Sequence, residues 1–162
     1  MPRDTRRWTL GKRSDVRLGK DNERRLAKRY GWRKVGQFGD AVDLLGADIK
    51  VQSKATRHHI PVWLDALGTT DPAMDRLDIL PAYASGPLDK MAPLYPERIP
   101  VLVRSFIHRG RPTRDFIYIA ARHWYALHGY GNPDDSGYIV MTGECWLETH
   151  GREGLNPPDR MV

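Results

Sequence analysis

The sequence predicts an α/β or α+β domain built on a mixed sheet. Two runs rich in apolar and β-branched residues, at 100–107 and 115–120, have the length and composition of strands. Segments with helical apolar spacing lie at 21–30 and 121–128, and each is followed by a glycine. This mixture of elements favours layers of helix packed on sheet. A chain of 162 residues suffices for one domain with a core and is short for two.

Local signals place the remaining elements in chain order. Asp21 or Asn22 can cap the first helix, and Gly46-Ala47 predicts a tight turn between two strands. Seven prolines between Pro61 and Pro100 exclude long regular elements there. The predicted order is a basic arm of little periodicity (1–18), a helix (21–30), two strands (41–45 and 48–54), two short helices (63–67 and 88–92), two strands (100–107 and 115–120), a helix (121–128) and a last hairpin (138–142 and 144–148). The arm, a single domain at 19–150 and a loose tail at 151–162 are the predicted divisions.

Cationic charge is concentrated at the N-terminus. Residues 1–37 contain 13 Lys and Arg against 4 Asp and Glu, a net charge of +9, and the remainder carries −3. Such a segment is typical of a surface that binds a polyanion, because each phosphate contact releases counterions. A merely solvated tail is the alternative interpretation. The sequence pI is near 9.6 and the basic segment lacks a wide apolar face, so nucleic acid is favoured over a membrane.

Several function classes are disfavoured by what the sequence lacks. The sequence contains no run of about 18 apolar residues, so it predicts no membrane-spanning helix. The single cysteine, Cys145, cannot form an internal disulfide, so we expect a reducing, cytoplasmic location, the host cytoplasm if the gene is carried by a phage. No cysteine or histidine cluster predicts zinc, no glycine-rich loop predicts an ATPase, and no serine has a nucleophile-elbow context.

The stretch 39–54, GDAVDLLGADIKVQSK, contains polar residues along a predicted strand that are candidates for an active site. Side chains alternate along a strand, so Lys50, Gln52 and Lys54 share one face. Pairing across the predicted turn sets Asp43 opposite Lys50 and near Gln52. Carboxylate and amide oxygens suit Mg²⁺, and an ammonium beside them can orient a water or offset charge on a phosphate. An ordinary surface strand dotted with lysine and glutamine is the alternative.

The first helix contributes one more carboxylate. Leu26, Ala27 and Tyr30 follow Glu23 at i+3, i+4 and i+7, so Glu23 lies on or beside the only apolar face of this helix. No basic residue stands at i+3 or i+4, which leaves Lys20 as its local partner. A carboxylate directed at a core needs a cation or hydrogen bonds. A metal held by Asp43 and Gln52 would supply that cation.

At this point residues 20–54 resemble the start of a PD-(D/E)xK nuclease, especially the archaeal-type Holliday junction resolvases. In that superfamily a glutamate-bearing helix precedes a strand with a metal-binding aspartate, and a second strand carries acid-x-Lys. Glu23, Asp43 and Lys54 match the glutamate, the aspartate and the lysine. The resemblance implies an α/β fold of the restriction-endonuclease-like type, with a mixed β-sheet flanked by helices.

The match departs from the pattern at one position. Gln52 stands where most members have glutamate, as in Mrr-like members of the superfamily, and a neutral ligand should weaken metal affinity. A competing motif of the same form is Asp48-x-Lys50, with Asp40 or Asp43 upstream. We rank it second because Asp48 lies at the predicted turn, where aspartate has an ordinary local role.

The resemblance implies a Mg²⁺-dependent DNA endonuclease, with Mn²⁺ as a possible substitute. Glu23, Asp43 and Gln52 would hold the metal, and Lys54 would position the water. The expected DNA contacts are Arg13, Arg17, Lys20, Arg24, Arg57 and His58. The expected substrate is a four-way junction cut by a homodimer, because its two symmetric cleavage points suit a two-fold assembly. An Mrr-like nuclease acting on duplex DNA and a non-catalytic nucleic-acid-binding module with a decayed site are the alternatives.

Overall fold

A computed structural model describes residues 2–35, 41–67 and 73–154, with side chains from Val16 onward. Its helices and strands alternate along the chain. In order they are α1 (Pro2–Tyr30), β1 (Arg33–Lys34), β2 (Leu44–Leu45), β3 (Ile49–Thr56), α2 (Val62–Asp65), β4 (Met74–Leu77), α3 (Ala82–Met91), β5 (Ile99–His108), β6 (Arg111–Ala120), α4 (Ala121–His128), β7 (Tyr138–Thr142) and α5 (Gly143–Thr149).

The strands form one mixed sheet of seven strands in the order β1-β2-β3-β5-β6-β7-β4. β3 and β5 run parallel, and every other described pair of neighbours is antiparallel. The connection between the parallel pair contains α2, β4 and α3, which gives it the length that a parallel crossover needs. With helices flanking the sheet, the predicted α/β class is confirmed, and the architecture is consistent with a restriction-endonuclease-like fold.

Apolar side chains cover both faces of the central strands. One face packs against α1, α4 and α5, with Leu26, Trp124 and Trp146 in its core. The other face packs against α2 and α3, with Leu64 and Met91 in its core. β5 and β6 are therefore buried on both sides, which explains their near-continuous apolar sequences.

The first helix is much longer than predicted. It begins at Pro2, so residues 2–18, which were expected to form an arm of little periodicity, are helical. Its many Arg, Lys and Leu residues have good helix propensity, and extending an existing helix costs little. The end is as predicted, because Gly31 takes a positive φ of 78° and donates its N–H to the Ala27 carbonyl.

The predicted turn at Gly46-Ala47 is displaced by one residue. Gly46 donates its N–H to the Ile49 carbonyl, so Ala47 and Asp48 form the two-residue turn. Leu45 therefore pairs with Lys50. The predicted pairing of Asp43 with Lys50 is wrong, and the preference of aspartate for turns accounts for the shift.

The last predicted hairpin is also wrong, because the segment after β7 is the helix α5. Thr142 caps it by accepting a hydrogen bond from the Cys145 N–H at 3.1 Å. Cys145 and Trp146 are buried, whereas Glu144 in the first turn is exposed. Capping and burial thus override the strand-like composition of the segment.

The part of the predicted loose tail that the structure describes, 151–154, is ordered against the domain. The Glu153 N–H donates to the Tyr30 carbonyl at 2.8 Å, and the Glu153 carboxylate accepts from the Ala47 N–H at 2.7 Å. Residues 155–162 lie outside the described residues. None of the described helices is both long enough and apolar enough to cross a bilayer.

Candidate metal centre and nucleic-acid groove

Glu23 lies at the margin of the buried face of α1, as predicted. Leu26 and Tyr30, further along the same helix, are fully buried against the sheet. The Glu23 side chain keeps 22% of its surface exposed, and the Lys34 ammonium in β1 lies 3.9 Å from its carboxylate. The carboxylate therefore points toward the place where α1 meets the β1 edge of the sheet.

Asp43 lies beside the middle of β3. Its N–H donates to the Val51 carbonyl at 2.8 Å. Its Oδ2 accepts hydrogen bonds from the Ser53 N–H at 2.9 Å and from the Ser53 hydroxyl at 3.4 Å. The end of β2 thus fixes this carboxylate against the strand that carries Gln52 and Lys54.

The two carboxylates are close enough to repel each other. Burial raises the pKa of Glu23 above its ordinary value, and the negative charge of Asp43 raises it further. The charges of Lys34 and Lys20 offset this rise only in part. A divalent cation between them would relieve the repulsion. The fold therefore brings together two of the residues that the sequence analysis assigned to a metal.

Gln52 lies between Val51 and Ser53, the two residues of β3 that bind Asp43. Its side chain points to the opposite face of the sheet from theirs. It pairs with Leu102, whose side chain packs in the core under α2 and α3. The Gln52 Oε1 is buried and accepts no hydrogen bond from the described residues. An unsatisfied buried oxygen is costly, so this atom is suited to a ligand that the protein itself does not provide.

Lys54 is exposed and lines a groove between β3 and α1. Leu18 and Gly19 form one wall of the groove, and Ser53 to His58 form the other. Ser53 binds the Asp43 carboxylate directly, and Glu23 lies one helical turn beyond Gly19 on the same side of α1. The groove therefore runs past Ser53 and has Lys54 in its wall, although Lys54 and Ser53 are neighbours along β3 and their side chains leave opposite faces.

The competing Asp48-x-Lys50 motif is not assembled into a site. Asp48 lies exposed on the turn. Lys50 is 2% exposed, and its ammonium donates to the backbone carbonyls of Ala92, Leu94 and Tyr95 at 3.2, 2.6 and 3.4 Å. All three ammonium protons are thus used within the fold, and Lys50 is not on an exposed polar edge as predicted. Asp40 lies outside the described residues.

The predicted DNA contacts fall at two places. Arg17, Lys20 and Arg24 are exposed on α1 with spacings of three and four, so they form one stripe along the helix. Arg13 occupies the helical position four residues earlier, where the structure does not describe side chains. Arg57 and His58 are exposed at the end of β3 and line the groove. Cationic groups therefore lie in the β3 wall of the groove and along the exposed side of α1.

A second charged cluster on the same face was missed by sequence reasoning. The Asp115 side chain in β6 is fully buried and accepts from Arg25 at 2.6 and 3.2 Å, from Arg29 at 2.7 Å and from the Tyr30 hydroxyl at 2.8 Å. Arg25 and Arg29 stand at i and i+4 on the face of α1 that meets the sheet, which is the signal that could have predicted a buried acid. This cluster holds α1 in place and so positions Glu23.

The donor set fits Mg²⁺ in kind. The Glu23 and Asp43 carboxylates, which repel each other, are hard oxygen ligands, but the Gln52 amide is on the opposite face of the sheet and is not brought to them. Within the described ranges, no group of three or more His, Cys, Asp and Glu could hold a metal. An ion at this place would therefore depend on Glu23, Asp43 and non-carboxylate oxygens.

Comparisons of the chain with protein-family models, with curated proteins and with solved structures found no match.

Proposed function

We propose that this protein is a metal-dependent endonuclease that hydrolyses phosphodiester bonds in DNA, with four-way junctions as its expected substrate. The observation that carries the proposal is the Glu23–Asp43 pair beside a groove whose β3 wall contains Lys54 and Arg57. A phosphodiester backbone is the polyanion that such a groove suits, and a carboxylate pair is the ordinary way to hold Mg²⁺ next to it. The order of helix glutamate, strand aspartate and Gln-x-Lys follows the resemblance described above.

Each residue then has a distinct role. Glu23 and Asp43 would hold the ion, whereas the Gln52 side chain leaves the opposite face of the sheet and is not placed to complete this donor set. The bound metal would polarise the phosphate and lower the pKa of a coordinated water. Lys54 would orient the attacking water and offset charge that develops on the phosphate. Ser53 fixes the Asp43 carboxylate through its N–H and hydroxyl.

Binding would be supplied by the stripe on α1 and by the end of β3. Arg17, Lys20 and Arg24 face solvent along the helix, and Arg57 and His58 lie beside Lys54 in the groove. These groups contact phosphates without reading bases, so affinity should fall steeply with salt. Two symmetric cuts in a junction would require two such sites, which favours a homodimer.

The test is cleavage of a labelled synthetic four-way junction beside a linear duplex of the same arms. Assays would contain Mg²⁺, Mn²⁺ or a chelator. We expect paired, metal-dependent nicks in the junction. Lys54→Ala should lower the rate by about 10² or more and largely spare binding, since the lysine acts on the transition state. Lys90→Ala removes an exposed lysine from α3 and should cut like the wild type.

The other outcomes separate the remaining hypotheses. Cleavage of junction and duplex at similar rates would replace the junction-specific assignment with the Mrr-like one. Binding without any metal-dependent cut would mean that the site is inactive and would leave a nucleic-acid-binding module. Equal cleavage by Lys54→Ala and the wild type would remove Lys54 from the mechanism.

A further inference from the structure

The hairpin that joins β5 to β6 is a second concentration of positive charge. We call residues 108–114, HRGRPTR, the basic hairpin. His108 pairs with Arg111, so Arg109 and Gly110 form a two-residue turn. Both take a positive φ, 52° and 76°, as a type I′ turn requires. A tight two-stranded ribbon therefore presents two arginines at and beside its tip.

Of the three arginines in the basic hairpin, Arg114 pairs with Asp65 within the domain, and the other two lie at and beside the tip. Arg109 and Arg111 are exposed, and neither forms an ion pair with any residue that the structure describes. Arg109 also occupies a left-handed position where asparagine or glycine would be less strained. An arginine at this position is unfavourable for the turn, which points to a role outside the domain.

The basic hairpin lies at the same end of the sheet as the groove. β3 and β5 are parallel with Thr56 beside Phe106, so the hairpin extends beyond the point where β3 ends. A hollow lined by His58 and His59 on one side and by His108 and Thr113 on the other joins it to the residues that follow β3. Asp65 also lines this hollow, where its charge is paired with Arg114 at 2.8 Å. The groove and the hairpin thus form one cationic surface.

The register gives the distance from the proposed catalytic lysine to the tip. Lys54 lies beside Arg104, and Arg109 is five residues further along the direction of β5. At about 3.3 Å per residue this is about 17 Å. Duplex DNA rises about 3.4 Å per base pair, so the tip would reach about five base pairs from the scissile phosphate.

We propose that the basic hairpin is a second DNA contact, one that grips the duplex arm about five base pairs from the cut. The inference rests on the proposed function for the identity of the partner. A two-stranded ribbon fits the major groove of B-form DNA, whereas the major groove of duplex RNA is too narrow to admit it. The arginines at the tip would then reach the phosphates that border the groove.

The test measures equilibrium binding in chelator, so that cleavage plays no part. The variant is Arg109→Asn with Arg111→Thr, because Asn-Gly suits a type I′ turn and threonine suits a strand. Its thermal midpoint should not fall below that of the wild type. The control is Lys90→Gln with Arg122→Gln, which also removes two positive charges from exposed positions. Lys90 precedes the start of β5 and Arg122 follows the end of β6, away from the hairpin that joins these strands.

On DNA with long arms we expect the hairpin variant to bind about tenfold more weakly at moderate salt. The slope of log affinity against log salt should become shallower by about 2, at about 0.9 per lost phosphate contact. On a substrate whose arm stops three base pairs from the cut, the variant and the wild type should bind alike. The control variant should match the wild type on both substrates.

Two results would overturn the inference. Equal affinity and slope for the hairpin variant and the wild type on long arms would remove the hairpin from the interface and leave the proposed function intact. An equal loss on long and short arms, or on duplex RNA, would show general electrostatic attraction in place of a placed contact. The proposed function fails separately, by the lack of metal-dependent cleavage in a protein that still binds DNA.

Discussion

Asp115, which packs against α1 from the sheet, and Glu23, on α1 itself, have opposite electrostatic environments. Asp115 is fully buried and accepts hydrogen bonds from two arginines and a tyrosine. Burial alone would raise the pKa of Asp115, but the hydrogen bonds and charges of Arg25 and Arg29 outweigh it and lower the pKa. Glu23 is less buried, yet its pKa is raised by desolvation and by Asp43. The more buried acid is thus the one better adapted to carry its charge.

The difference distinguishes a carboxylate that supports the fold from one that is available for a ligand. Around Asp115, the side chains of Arg25, Arg29 and Tyr30 compensate the negative charge of the carboxylate. Around Glu23 the Lys34 ammonium at 3.9 Å compensates only in part, and the neighbouring acid adds repulsion. A carboxylate whose negative charge is only partly compensated by the protein is typical of functional sites, where a bound ligand supplies the missing positive charge.

The largest expected effect follows from removing the charge of Asp115. Asp115→Asn leaves Arg25 without its buried counterion and Arg29 with only the more exposed Glu144, so the free energy of unfolding should fall by about 3 kcal/mol or more. Urea denaturation measures it. Asp21→Asn is the control, because Asp21 pairs with Arg24 at 2.9 Å with both side chains more than half exposed, and it should cost less than about 1 kcal/mol. Similar losses in the two variants would contradict a structural role for the buried cluster.

The pH dependence of stability should separate the two acids by sign. The lowered pKa of Asp115 means that its stabilising effect is present above the ordinary value of 3.8 and is lost as the pH falls below it. The raised pKa of Glu23 means that stability increases as the pH falls through its folded value toward the ordinary 4.5. Urea midpoints from pH 7 to pH 3 would show the two changes. Glu23→Gln should abolish only the change at higher pH, and Asp115→Asn only the one at lower pH.

A small gain in stability is expected from Glu23→Gln at neutral pH. The variant removes the repulsion from Asp43 and keeps the side-chain shape, so the free energy of unfolding should rise by about 0.5 kcal/mol. Glu148→Gln, at an exposed position of α5, should change it by less than that. A clear loss of stability in Glu23→Gln would mean that the ion pair with Lys34 outweighs the repulsion.

Sequence reasoning located the elements with strong local signals. The apolar runs gave β5 and β6, the glycines ended α1 and α4, and the spacing of Leu26 and Tyr30 placed Glu23 at the edge of the buried face. These features depend on neighbours in the chain, so the pattern alone contains them.

The errors concern features that depend on distant parts of the chain or on competing local signals. Lys50 was expected on an exposed edge, but carbonyls more than forty residues away take up its ammonium. The alternation of faces does not reveal that the Asp43 carboxylate binds Ser53, whereas Gln52 faces the core under α2 and α3. The last strand, 144–148, was predicted from its composition. The segment instead lies in α5, which the Thr142 side chain caps.

The central claim is that Glu23 and Asp43 hold a divalent cation, and its most direct test is the change of thermal midpoint on titration with Mg²⁺. At a Mg²⁺ concentration ten times the dissociation constant, binding to the folded state should raise the free energy of unfolding of the wild type by about 1.4 kcal/mol. Glu148→Gln, at an exposed position of α5, should keep the wild-type midpoint and the full Mg²⁺-dependent gain. Glu23→Gln should start at or above the wild-type midpoint and lose most of that gain. A wild-type midpoint that does not respond to Mg²⁺ or Mn²⁺, or an equal gain in Glu23→Gln, would contradict the account.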